Sequence, residues 1–253
     1  MFKRKKGLLL LLIVAGRSAV APVASASVVD FETPTYTQAA IAGQDGWAGP
    51  GSVVDSSETR FGAVAGGQST LVDASMSRSV AGDIASSTPF SFLWDWSPVF
   101  PGNSRFIEYD IAVSGVRIIR FGAQTTNGGS NTEYYTYGLV NNTQTFFSAV
   151  NPTLRPVTMV SGVLDFATLT YDLTFTDVTT NVAYPFSAKT MVTAPTLVEA
   201  QATAEFMTTG NVEGNHYIDN VTFGPAVPEA SSLLLCGVGA CGVMGLRSIR
   251  RRK

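Results

Sequence analysis

The chain has 253 residues, 14% of them charged, with a formal net charge of −2, and that length holds one large domain with its own core. The charge is unevenly spread: five of the 17 basic residues lie in the first 17 positions and five in the last seven, leaving seven against eighteen acids between positions 27 and 226. Such an acidic middle excludes nucleic acid and anionic lipid as partners, and because both cysteines, Cys236 and Cys241, fall in an apolar tail, no disulfide framework holds it.

The first predicted element is a leader. Lys3-Arg4-Lys5-Lys6 precedes an apolar run of about ten residues from Gly7 to Gly16, and Ala24-Ser25-Ala26 supplies the small residues of a cleavage site. The apolar run is short for a membrane span. The sequence therefore predicts a signal peptide over 1–26, cleaved between Ala26 and Ser27.

From Ser27 to Ala226 the pattern is β. Asp30-Phe31-Glu32 opens the region, followed by Gly43-Gln44-Asp45-Gly46-Trp47 and Gly66-Gly67-Gln68-Ser69. Strand-like runs lie near 69–74, 90–96, 107–113, 116–122, 133–139, 144–150, 169–175, 183–193, 203–208 and 216–223. Two alternate plainly with period two: Ile107, Tyr109, Ile111 and Val113 against Glu108, Asp110 and Ala112, and Leu169, Tyr171, Leu173 and Phe175 against Thr170, Asp172 and Thr174. Turn clusters punctuate the runs at Pro101-Gly102-Asn103, Asn127-Gly128-Gly129, Asn141-Asn142, Asn151-Pro152 and Gly210-Asn211, and the one helix-like stretch is about 195–203. Short strands joined by such turns predict an all-β fold, an antiparallel β-sandwich or jelly roll.

Chemistry-bearing residues are few in this region. Trp94-Asp95-Trp96 puts two indoles on one strand face, and Tyr135 and Tyr137 share another. Flat aromatic faces with hydrogen-bonding neighbours hold sugars, so Trp94, Trp96, Tyr135 and Tyr137 are candidate glycan-binding residues. The competing and commoner place for the indoles is the sandwich core. Asp30, Glu32 and Asp219 are candidate ligands for a structural calcium ion, with Asp45 and Asp55 as further options, since calcium takes about six to eight oxygens from carboxylates and carbonyls.

Catalytic patterns are missing. His216 is the single histidine, no Gly-x-Ser-x-Gly turn occurs and the region has no cysteine, so neither a Ser-His-Asp triad nor a zinc site is supported. Glycoside hydrolysis needs only two carboxylates, but Glu108 and Asp110 read as the wet face of an ordinary strand. Thr168, Thr170, Thr174 and Thr176 form a line interrupted by Asp172, not the plane that ice binding would want. No catalytic residue is assigned.

The last element is a tail. Val227-Pro228-Glu229-Ala230 is followed by an uncharged apolar stretch to Leu246 and then by Arg247, Arg250, Arg251, Arg252 and Lys253. A helix over 230–246 would be roughly 26 Å long, just enough for a thin bilayer, with the basic cluster left in the cytoplasm. Box, glycine-rich apolar helix and terminal arginine cluster together resemble the PEP-CTERM sorting signal of Gram-negative bacteria, also labelled an ice-binding-protein C-terminal domain. Ala230 is a departure, because the family has proline there. The resemblance implies processing near Val227, Pro228 and Glu229 by an exosortase-type membrane enzyme, and display at the cell surface or in the exopolysaccharide matrix.

A second resemblance rests on Asp30-Phe31-Glu32, Gly43 to Trp47, Gly66 to Ser69 and the closing Tyr217-Ile218-Asp219-Asn220-Val221. Their order is similar to that of concanavalin A-like jelly-roll domains, which implies pairing of the first and last strands with Asp30 or Glu32 near Asp219. Laminarinase-like enzymes of that fold carry Glu-x-Asp-x-x-Glu; here Glu108-Tyr109-Asp110 begins the pattern and Val113 stands where the third acid belongs. The expectation is an exported β-sandwich over 27–226, non-enzymatic, with weak glycan binding and exopolysaccharide as a partner. The alternatives are a secreted polysaccharide hydrolase with an unrecognised carboxylate pair and a purely structural coat component.

Overall fold

The computed structural model describes residues 27–32, 35–55, 68–72, 75–98, 106–209 and 214–224. The predicted leader with Ala24 and Ala26, the sorting residues Val227, Pro228 and Glu229, and the apolar stretch 230–246 lie outside them. Among the described residues, no helix is long and apolar enough to cross a membrane.

Strand alternation sends successive side chains to opposite faces, and the period-two runs become the strands of one curled antiparallel sheet. In chain order they are β1 (Ser27–Val29), β2 (Gly51–Asp55), β3 (Gln68–Val72), β4 (Met76–Ser79), β5 (Ser87–Pro98), β6 (Phe106–Val113) and β7 (Val116–Thr126). They continue as β8 (Asn131–Val140), β9 (Thr143–Asn151), β10 (Val157–Asp165), β11 (Thr170–Asp177), β12 (Val182–Thr190), β13 (Glu205–Thr209) and β14 (Gly214–Phe223). The helix-like stretch is the short α1 (Leu197–Thr203), fixed by a capping box in which Thr196 and Glu199 satisfy each other's backbone amides.

The strand order is β2-β3-β14-β5-β10-β11-β12-β8-β7-β6-β13-β4, with β1 added to β14 and β9 to β8. Only the pair Thr190 and Leu139 joins β12 to β8. The sheet turns that corner and folds back on itself, so β5 lies over β6, β7 and β13. Rings meet across the gap: Phe92 and Tyr109 at 4.7 Å, Trp94 and Tyr109 stacked at 5.2 Å, and Phe92 and Phe206 at 5.3 Å. Two tight hairpins hold the register on the second layer. Ser114-Gly115 and Asn141-Asn142 all have positive φ, as two-residue turns that match strand twist require.

Besides the short β1, three strands escaped the sequence reading: β2, β4 and β10. β10, the longest of them, carries Ser161-Gly162 in its middle and follows the Asn151-Pro152 turn. Gly162 pairs with Phe90, and a Cβ there would come within 2.6 Å of that ring. The glycine makes room for a core aromatic and does not end the strand.

Candidate functional site on the outer face of the second layer

The outward side chains of β6 to β9 form the site. Glu108, Gly122 and Tyr135 are consecutive partners across β6, β7 and β8, and Asp110, Arg120, Tyr137 and Phe146 are consecutive partners across β6 to β9. Because Gly122 has no side chain, Tyr135 spans β7 and donates its hydroxyl to Glu108 Oε1 at 3.0 Å. Tyr135, Tyr137 and Phe146 make a ring triad, with centroids 5.9 Å apart for the two tyrosines and 5.4 Å from each to Phe146. Phe146 is 42% exposed and Val150, farther along β9, is 49% exposed. The apolar strip therefore opens to solvent beside a polar one.

Arg120 organises the polar strip. It donates twice to Asp110 at 2.7 Å, a bidentate pair, and its Nη1 lies 3.0 Å from Glu108 Oε2. The Asp110 hydrogen bonds raise the arginine's pKa further, so it stays charged. Burial first, and then the Glu108 charge, push the Tyr135 phenol far above its ordinary value, so it stays neutral and donates. Gln124 donates to Glu133 on the same face. The arrangement offers flat rings, a fixed guanidinium, amide and carboxylate acceptors, and no free acid–base pair.

Two of the predicted glycan residues are elsewhere. Trp94 is 1% and Trp96 2% exposed; both point into the sandwich, where the energy of burying an indole places them. They are corrected to core residues, and Tyr135, on the outer side of β8, is itself only 3% exposed, its ring packed against Tyr137 and Phe146. Arg120 and Phe146 were missed. The signal was present in the alternation of 144–150, which puts Phe146 on the face of Tyr137, but cross-strand partners need a register that a sequence does not print.

The first and last strands do pair, Val29 opposite Val221. Asp219 is fully buried there, its Oδ1 accepts the Asn220 amide at 2.7 Å, and its Oδ2 has no hydrogen-bond partner among the described residues. Burial first, then the charges of Glu32 and Asp30, raise its pKa to about 7. Glu32 accepts from the Gln68 amide at 2.9 Å, and Asp30 from the Glu32 amide at 3.1 Å. Among the described residues, no three acidic, histidine or cysteine side chains gather as a metal-ligand set. Asp45 is taken by Arg78 and the Tyr36 hydroxyl, both at 2.9 Å, and Asp55 closes β2.

His216 is buried against the Tyr109 hydroxyl, its pKa lowered to about 3 by burial; it is a neutral core residue. Thr170, Thr174 and Thr176 face outward on β11, but their partners on β10 are Asp165, Ser161 and Met159, so no threonine plane forms.

No protein-family model matches the chain, and no curated protein matches it. Among solved structures it is similar to an engineered GH43 glycoside hydrolase with endo-xylanase and exo-arabinofuranosidase activity, at 9% identity and a TM-score of 0.47, over 83% of this chain and 43% of that one. It thus spans less than half of that enzyme. It is also similar to the globular domain of T. cruzi calreticulin, at 12% identity and a TM-score of 0.45, over 90% of this chain and all of that one. A third is peanut lectin with a nine-residue peptide, at 12% identity and 0.39, over 74% and 94%.

Proposed function

We propose that the chain is an exported, non-enzymatic cell-surface or exopolysaccharide-matrix protein that holds a neutral glycan on the outer face of β7 to β9. The observation that carries this reading is the exposed Phe146 and the half-buried Tyr137, backed by the buried ring of Tyr135, beside the fixed Arg120 network. Rings stack against the apolar face of a sugar while neighbouring polar groups take its hydroxyls. Three carboxylates, Glu108, Asp110 and Glu133, stand against one guanidinium on this face, which opposes acidic polymers. Glu108 and Asp110 are both committed to Arg120, leaving neither to move a proton, and this favours binding over hydrolysis.

The test is an array of neutral and acidic glycans probed with the full chain beside Tyr137→Ala and Phe146→Ala. Binding to neutral polysaccharide that both variants lose supports the site. Binding that both retain, or release of reducing ends from the bound polymer, overturns it.

The address belongs to the same proposal. The leader over 1–26 and the tail of PEP-CTERM type motivate export of 27–226 and processing by an exosortase-type enzyme, with the apolar helix anchoring the chain until then. Deleting 228–253 should release the protein into the medium; a deletion variant retained at the surface overturns the anchor.

A structural calcium ion at Asp219, with Asp30 and Glu32 nearby, is the accompanying cofactor proposal. It is supported by a buried carboxylate whose Oδ2 lacks a partner among the described residues, a charge that either a proton or a cation would relieve. Calcium added at pH 8 should raise the Tm of the parent and leave that of Asp219→Asn unchanged; an equal response in both removes the ion from this seam.

A further inference from the structure

The sheet has two long edges toward its corner, and the chain treats them differently. β12 is blunted: Pro185 has no amide to donate, Ala188 has positive φ, and the register slips between Tyr171 and Leu173 on its partner. The outer strands β2 and β4 are each covered by a bridge, Ala40 to Ser52 and Ala48 to Ser77. Edges left bare invite pairing, and proteins that avoid it use such devices.

β9 uses none of them. Thr143 to Asn151 contains no proline and no charge, and it pairs with β8 without a slip from Asn151 to Thr143. Among the described residues, its far side meets no strand. Its outward Phe146 and Val150 are exposed, while its inward Phe147 packs on the core under the Lys189 ammonium, 3.9 Å from the ring centroid. The strand is uncharged, anchored beneath through Phe147 and open at the side.

We propose that β9 is the edge on which a second copy of this chain docks, antiparallel strand to strand, extending the second layer across a twofold axis. The occupant follows from charge and from fit. The middle of the chain is strongly acidic, so a like copy is repelled at most approaches, and the uncharged β9 is where that repulsion is least. With Phe147 at the axis, Phe146 lies opposite the partner's Ser148 and the reverse, so each ring meets a small side chain. The two strands, each about 30 Å long at ~3.4 Å per residue, would complete each other's backbone ladder as strand-addition partners do.

A twofold perpendicular to the sheet keeps both outer faces on one side. The two ring triads would then lie on one continuous platform, with the two β8 strands about 14 Å apart. Polymer capture by that platform rests on the glycan reading above; the dimer itself does not.

The experiment is sedimentation velocity on the full chain in detergent from ~1 to ~100 µM, with Ser148→Lys and, as a control on the other edge, Val182→Lys. The parent and Val182→Lys should sediment as dimers while Ser148→Lys sediments as a monomer with an unchanged circular dichroism spectrum. A monomeric parent at the highest concentration, or a dimer that survives Ser148→Lys, overturns the proposal. On an immobilised neutral polysaccharide, the parent should bind on the order of a hundredfold more tightly as a dimer than after dilution to the monomer, through bivalency; Ser148→Lys does not serve for this arm, because Ser148 is the cross-strand partner of Tyr135. Loss of polysaccharide binding in both forms, with the dimer intact, would sink the glycan reading alone.

Discussion

The aromatic residues of this molecule divide into two groups separated by one step of strand alternation. Inside, Trp94 stacks on Tyr109, and Tyr109 lies 5.9 Å from Phe206 in a second stacked pair. Outside, Tyr137 meets Phe146 with solvent on the far side. Tyr134 and Tyr135 are neighbours in sequence and belong one to each group: Tyr134 stacks on Phe175 at 4.8 Å, whereas Tyr135 reaches across Gly122 to Glu108. Residue type does not separate a core ring from a surface ring. Parity along the strand does.

The comparison breaks most visibly at Trp94. Trp94→Ala removes a ring that touches Phe92, Tyr109, Tyr134 and Phe175, and a buried indole truncated to alanine costs about 3–5 kcal/mol. Urea unfolding should show that loss as a lower midpoint at unchanged slope. A change below about 1 kcal/mol would mean that Trp94 is no core residue.

Next in size is Asp219, the buried charge of the first layer. Its folded-state pKa is raised to about 7, so the folded chain holds that proton more tightly than the unfolded one. Its contribution is therefore fully present below the ordinary carboxylate value and is lost as pH rises toward 7, by on the order of 3 kcal/mol. In chelator, Asp219→Asn should flatten this slope and be the more stable protein at pH 8. A parent whose Tm does not fall between pH 4 and 7 relative to the variant would contradict the burial.

How much of this was legible in the sequence follows from the same parity rule. The alternating 107–113 run placed Ile107, Tyr109 and Ile111 in the core correctly, but Glu108 and Asp110, read as a wet face, are half-buried and buried beside Arg120. The turn residues Asn141-Asn142 marked the β8–β9 hairpin. Trp94 and Trp96 were harder: Asp95, on the face opposite them, is buried too, so β5 has no exposed face there to contrast with the core. Arg120, Tyr137 and Phe146 lie on three strands and meet only through register, which no local pattern encodes. β10 went unread because the reason for its Gly162, the Phe90 ring, is remote in sequence.

The two adjacent tyrosines sharpen the comparison at a smaller scale. The Tyr134 hydroxyl is within 3.0 Å of Thr158 Oγ1 and accepts from Asn151 at 3.4 Å, inside the sandwich. Tyr134→Phe strands those buried groups and should cost about 1–2 kcal/mol, while Tyr135→Phe leaves Glu108 paired with Arg120 and should cost about 1 kcal/mol or less. Equal unfolding midpoints for the two variants would erase the distinction.

The smallest stability effect should come from Phe146. Its ring contacts Tyr135 and Tyr137 on one side only and keeps 42% of its surface in water, so truncation uncovers little that was dry. Phe146→Ala should shift stability by less than about 1 kcal/mol, against the several lost at Trp94, while removing the one ring of the triad that faces outward. Retained polysaccharide binding in this variant would detach the glycan reading from the triad. A destabilisation as large as that of Trp94→Ala would place Phe146 among the core rings, and the outer face of β8 and β9 would then be buried by something other than a sugar.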